Sequence, residues 1–146
     1  ARARAGGDGV MGFVMTDAGF APDDFPGPIR PVAELGSVEE GDGVEIGPAD
    51  DPRALVGVLG QLSLIRVRFA AFNDGRGFSH ARDLRALGYA GRLRCAGIIP
   101  DQYAMARRVG FDEVEVGEEQ ARRQPERDWL ARADWRAHDY QRRLRA

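Results

Sequence analysis

Leu64-Ile65-Arg66-Val67-Arg68-Phe69 alternates apolar and charged side chains. Successive side chains of a strand point to opposite faces. Ile65, Val67 and Phe69 therefore share one face, and Arg66 and Arg68 take the other. A parallel strand covered on both faces reads instead as an unbroken apolar run. The same texture recurs on either side of this stretch. Val44 and Ile46 flank Glu45, Leu93 and Cys95 alternate with Arg92 and Arg94, and Val114 and Val116 alternate with Glu113 and Glu115. Four strands, centred near residues 45, 66, 94 and 115, thus present one apolar face and one ionic face.

The segments between them carry helix signals. Asp50-Asp51-Pro52 supplies an N-cap and a first-turn proline, and Leu55, Val58, Leu59 and Leu62 follow at helical spacing. Ser79 is a plausible N-cap for a helix whose face is Ala81, Leu84 and Leu87, with Gly88 as its stop. Pro100-Asp101 opens a helix that runs through Val109 to Gly110. Strand spacings of roughly 20 to 30 residues fit strand–helix units with parallel strands and right-handed crossovers. In sequential order, such crossovers place every helix on one side. The fold expected is α/β: consecutive strand–helix units and a mostly parallel four-stranded sheet. It resembles half a (β/α)8 barrel, with the charged side chains where barrel residues point inward.

Residues 1–146 read as a single domain. Residues 1–42 form an irregular N-terminal lead-in, 43–117 the strand–helix core and 118–146 a helical tail interrupted at Pro125. Pro22, Pro26, Pro28 and Pro31 exclude a long helix or a central strand from the lead-in. It is expected to wrap over the domain in extended form, with a short strand from Gly12 to Met15.

Composition narrows the chemistry. All 21 basic residues are arginine, which excludes a Walker-A, Schiff-base or cofactor-anchoring lysine. The single cysteine, Cys95, excludes an intramolecular disulfide, a thiolate zinc site and a Cys-ligated iron–sulfur cluster. His80 and His138 lie far apart in sequence. No metal and no cofactor is expected. The net charge of -2 gives no pull on nucleic acid, and the absence of a long apolar run or leader gives no membrane contact. The expected location is cytoplasmic. The charge is uneven: residues 1–52 carry 11 acids against 3 arginines, and residues 53–117 carry 10 arginines against 6 acids. Either the acidic lead-in folds against the basic body, or a basic site is exposed to an anion. Likewise the ionic face is either paired across strands, under the lead-in or the tail, or it forms a partner surface or an anion trough.

Ligands of parallel sheets sit at the C-terminal strand ends. There, Asn73-Asp74-Gly75-Arg76-Gly77-Phe78-Ser79 is a candidate anion site. Gly75 and Gly77 permit close backbone approach, Ser79 and helix amides favour an anion, and Arg76 offers a two-pronged donor. Asp74 could orient Arg76 or act as a base, and Asp101 and Gln102 open the adjacent helix towards the same spot. The competing reading is a plain turn with helix caps. His80 beside the loop reads as a solvated group or a general acid–base, and Cys95 as an inert buried thiol. Trp129, Trp135 and Tyr140 read as docking contacts of the tail. Catalytic residues stay unassigned.

Phe72-Asn73-Asp74-Gly75-Arg76-Gly77-Phe78-Ser79, Ala81-Arg82, Leu84-Arg85, Gly88-Tyr89, Gly91, Leu93-Arg94, Asp101-Gln102 and Gly110-Phe111-Asp112 resemble a bacterial family of unknown function. Its members carry the label of oxidoreductases of sulfite reduction and are encoded near sulfite or nitrite reductase genes. The resemblance is strongest over residues 62–116. Ile98 departs from it, standing where many members have an acidic residue. The resemblance implies an accessory of assimilatory sulfite reduction and sulfur metabolism that docks on a sulfite or nitrite reductase. Sulfite reduction takes six electrons through a haem-type or iron–sulfur centre, which this inventory is poorly placed to hold. The alternative is a small enzyme or carrier that binds a sulfur oxyanion or phosphate ester at the Asp74–Gly77 loop. A homodimer of two half-barrels is a further expectation from geometry.

Overall fold

The computed structural model describes residues 12–136. Its strands are β1 (Phe13–Thr16), β2 (Gly19–Pro22), β3 (Ile29–Pro31), β4 (Gly43–Ile46), β5 (Leu64–Arg68), β6 (Arg92–Ala96) and β7 (Glu113–Val116). They form one seven-stranded sheet in the order β2-β1-β7-β6-β5-β4-β3. β3 to β7 are parallel and neighbours in chain order, while the β1–β2 hairpin adds antiparallel strands beside β7. The four strands read from the alternation stand where expected. The four-stranded sheet is corrected to seven because the lead-in supplies three more. These are only three or four residues long, and two of them end in proline (Pro22 and Pro31). Proline is tolerated at sheet edges, where no ladder donor is needed.

The helices are α1 (Arg76–Ala86), α2 (Tyr103–Val109), α3 (Glu118–Arg123) and α4 (Glu126–Leu130). The helix expected after Pro52 is a 3-10 turn over Pro52–Leu55 followed by further turns, with amides bonding back three residues at Val58 and Gln61. Gly57 and Gly60 within this stretch weaken an α-helix. Asp51 does cap the turn, accepting the Arg53 N–H. Residues 100–102 likewise form a 3-10 turn ahead of α2.

The apolar sheet face is the core. Ile46, Val67, Leu93, Cys95 and Val114 are buried in one cluster with Ala81 and Leu84 of α1, Tyr103 and Ala106 of α2, and Trp129 of α4. Ile98, the departure from the resembled pattern, is itself a core residue. Burial pushes the Cys95 thiol well above its ordinary pKa, as does the Glu115 charge. It is inert to nucleophilic chemistry in the folded state.

The opposite face is a ladder of ion pairs. Glu45, Arg66, Arg94 and Glu113 lie in direct register across β4, β5, β6 and β7. Two guanidinium groups are thus neighbours. Glu115 Oε1 accepts from both, at 3.1 Å each. Glu45 accepts from Arg66 at 2.7 Å and Arg68 at 2.9 Å, and Glu113 from Arg94 at 2.7 Å and Arg92 at 3.1 Å. Pairing across strands is the outcome, as one sequence reading had it. The four arginines outnumber these three glutamates, and the lead-in makes up the charge. Asp23 binds Arg94 through two donors at 3.0 and 3.1 Å, and Asp24 binds Arg92 at 3.0 Å. Phe25 is buried with the Arg92 guanidinium over its ring. Burial alone would lower the Arg94 pKa, but its bonds to Asp23 and Glu113 hold the guanidinium more firmly charged than in water.

This strap constrains the sheet's shape. β2 and β3 are the two outermost strands, joined only by the chain from Asp23 to Pro28. Six inter-strand spacings in a flat sheet cover roughly 29 Å, whereas seven chain steps reach at most about 25 Å. The sheet therefore curls towards its ionic face, and the strap crosses the concave side.

At the β2 edge, the Phe20 N–H is taken by Glu126 at 2.8 Å, and Pro22 has no N–H to offer. That blunts the edge against addition of another strand. Asp17, in the β1–β2 turn, ties the hairpin to α2 and the tail. It accepts from Tyr103, from Arg107 at 3.1 Å and from Trp135 at 3.1 Å. Burial raises its pKa, but these donors prevail and bring it down to about 2.

Candidate functional site

Asp74 organises the β5–α1 loop. Its Oδ1 accepts the Arg76 backbone N–H at 3.1 Å, and its two oxygens accept Arg76 Nε and Nη2 at 3.0 and 2.7 Å. The side-chain and backbone bonds from Arg76 hold the Asp74 carboxyl at about 2, well below the usual carboxylate range. α1 consequently starts at Arg76, four residues before the His80 start that a Ser79 cap implies. Ser79 is exposed within its first turn and is not the N-cap. The Nε–Nη2 edge of Arg76 faces Asp74, although the side chain is 60% exposed.

The loop glycines have different roles. Gly75 has open space around its Cα. A Cβ at Gly77, which is buried, would lie 2.4 Å from the Phe69 ring. Phe69 also stands edge-on to Phe78 at 4.9 Å. Gly97, at φ +103°, would bring a Cβ within 2.8 Å of the Phe69 carbonyl oxygen. Gly77 and Gly97 thus make room for Phe69. Gly77→Ala is expected to destabilise the protein by about 1–3 kcal/mol through overpacking, although alanine is the better helix former. Urea unfolding checks this, and an unchanged midpoint would show that the ring is not seated there.

Gln102 reaches this loop and Asp101 does not. Gln102 Nε2 donates to the Phe72 carbonyl at 2.6 Å while its Oε1 accepts the Ile99 N–H at 3.2 Å, joining two strand-tip loops. Asp101 is 69% exposed and faces Arg132 at 3.6 Å. His80 is buried rather than solvated. Its Nε2 lies 3.1 and 3.2 Å from the carbonyl oxygens of Gly47 and Pro48, so that nitrogen carries the proton. Asp74, Gly75, Arg76, Gly77 and Ser79 are therefore together with Gln102 beside them, and Asp101 turns to the tail. Among the described residues, no group of three or more His, Cys, Asp or Glu side chains is placed to hold a metal ion.

The tail contacts follow their expectation where they can be seen. Trp129 is fully buried, edge-on to Tyr103, and donates to the Gln124 carbonyl at 3.0 Å. Trp135 lies under Arg107. His138 and Tyr140 lie outside the described residues. The charged groups that sequence reading missed are Asp17, Asp23 and Asp24. The surplus of arginines on the ionic face beside an acidic lead-in was the signal for the last two.

Fold and site together define a small α/β protein whose mostly parallel sheet carries helices on its apolar face and an internally neutralised arginine ladder on the other. The chain belongs to the bacterial family of unknown function described as "Bacterial protein of unknown function (DUF934)", which it matches over residues 43–146. No curated protein and no solved structure matches it. Among the described residues, no helix is long and apolar enough to cross a membrane.

Proposed function

We propose that this protein is an accessory of assimilatory sulfite reduction that docks on a sulfite or nitrite reductase and holds no redox centre of its own. The motif resemblance across residues 62–116 supplies the link to sulfur metabolism. The observation that carries the accessory role is the closed Asp74–Arg76 pair. The strand-tip loop, where a catalytic or anion site was expected, spends its cation on its own carboxylate. His80 and Cys95 are likewise engaged or buried. The reading includes a cytoplasmic location and the likeness of the curled sheet to half a (β/α)8 barrel.

Sedimentation of the purified chain with purified sulfite reductase tests it. A stoichiometric complex is expected, together with a thermal response to sulfite or sulfate that is the same in wild type and in Arg76→Ala. No complex, with stabilisation by sulfite that Arg76→Ala abolishes, would overturn it in favour of an anion-binding enzyme or carrier at the loop. The half-exposed Arg76 side chain is the observation that keeps this second reading in play.

A further inference from the structure

The 3-10 turn of residues 100–102 runs straight into α2, whose inner face, Tyr103, Ala106 and Val109, is buried. Asp101, Met105 and Arg108 follow one another at spacings of four and three, so they form one stripe on the outer face. The Asp101 side chain is 69% exposed and Met105 is 43% exposed. Arg108 Nε is the one buried side-chain polar atom without a hydrogen-bond partner among the described residues. Arg107 beside it is paired with Asp17, but Arg108 enters no ion pair among those residues. The stripe thus has a carboxylate at its start, an apolar centre and an unpaired guanidinium at its end.

More apolar surface surrounds it. Phe72 is 51% and Leu130 40% exposed. The Phe72 carbonyl accepts from Gln102, and Trp129, next to Leu130, stands edge-on to Tyr103. Among the described residues, three of the four large apolar side chains most open to solvent therefore gather around the start of α2. Grouped exposure of this kind marks an interaction surface.

We propose that this face pairs with the same face of a second copy of the chain about a twofold axis, with the two α2 helices antiparallel. In such a contact residue i meets residue j and j meets i. Met105 meets its counterpart at the axis. Asp101 and Arg108 lie on either side of Met105, about 10 Å apart along the helix, so Asp101 of each copy falls opposite Arg108 of the other. Two reciprocal ion pairs form, and Arg108 gains the partner that its own chain does not give it. The present partner of Asp101 is Arg132 at 3.6 Å, and both side chains are exposed, which makes that pair easy to exchange. Opposite charges at the two ends of one stripe make the surface complementary to itself, whereas a partner of a single sign is repelled at one end. The contact is small, so the dimer is weak. It uses the helix layer rather than the ionic sheet face and does not depend on docking to a reductase.

Sedimentation velocity over a concentration series from micromolar to millimolar tests it. The mass of the wild-type protein is expected to rise from one chain towards two. Met105→Glu sets two carboxylates together at the axis and should weaken association about tenfold or more. Met105 is exposed, so this variant keeps its fold, which circular dichroism checks. Asp101→Arg and Arg108→Asp each set like charges against one another across the axis, and each should stay monomeric alone. Mixed in equal amounts, they should associate at least as tightly as wild type, because one chain then carries two arginines and the other two aspartates. A wild-type mass of one chain throughout the series would overturn the proposal. So would a dimer that Met105→Glu leaves as tight, or a mixture of the two charge variants that stays monomeric. The wild-type series and Met105→Glu decide the matter even where a charge variant does not fold.

Discussion

Arg94→Ala should lower the unfolding free energy by about 3–5 kcal/mol, the usual effect of removing one partner from a buried ion pair. Domains of this kind hold about 5–15 kcal/mol in all, so the variant stands near the edge of folding. Nearly all of this effect comes from what is left behind. Glu113, 7% exposed, loses its 2.7 Å partner and keeps Arg92, while Asp23 and Glu115 lose donors as well. Arg94→Lys keeps the charge but cannot form the fork, and should fall between wild type and alanine. Arg68→Ala, at a side chain 51% exposed, should cost less than about 1 kcal/mol. Urea unfolding of the three variants checks the order. Similar losses for Arg68 and Arg94 would mean that the ladder is not buried under the strap.

Trp129→Ala is the second large effect. The indole is wholly buried, packs edge-on to Tyr103 and donates to Gln124. Truncating a tryptophan of this kind costs about 3–5 kcal/mol. The loss should fall on the whole domain, because Tyr103 belongs to α2 and also donates to Asp17 of the β1–β2 turn. A calorimetric scan should therefore give one transition at a lower temperature. An unchanged main transition would show that α4 is not part of the core.

The alternation at Glu45, Arg66, Arg94 and Glu113 was legible because a strand's period of two leaves no ambiguity about faces. The sequential order of those strands followed from the ionic face, because right-handed crossovers then put every helix on the apolar side, whereas helices on both faces would bury the arginines at high cost. What the sequence hid was decided by contacts far apart in the chain. β1 stands where the short strand from Gly12 to Met15 was expected, whereas β2 carries no alternation of apolar and charged residues and is completed by Glu126 from the tail. The strap's partners are about seventy residues from Asp23 and Asp24, beyond any local pattern. The anion loop was located correctly as a loop, but its inner chemistry turned on the Asp74 rotamer. Asp74 and Arg76, two residues apart, satisfy each other there. Gly77 looked like room for a ligand and proved to be room for Phe69. Spacing gives no means of telling those uses apart.

Native-state thiol labelling compares the two faces of the sheet directly. Cys95 belongs to the helix-covered face and has no exposed surface, so it should react only as fast as the protein unfolds. A cysteine introduced by Arg68→Cys in a Cys95→Ala background lies on the strapped face and should react at nearly the rate of a free thiol. Comparable rates at the two positions, with the circular dichroism of both proteins native, would contradict a sheet roofed by helices on one side only.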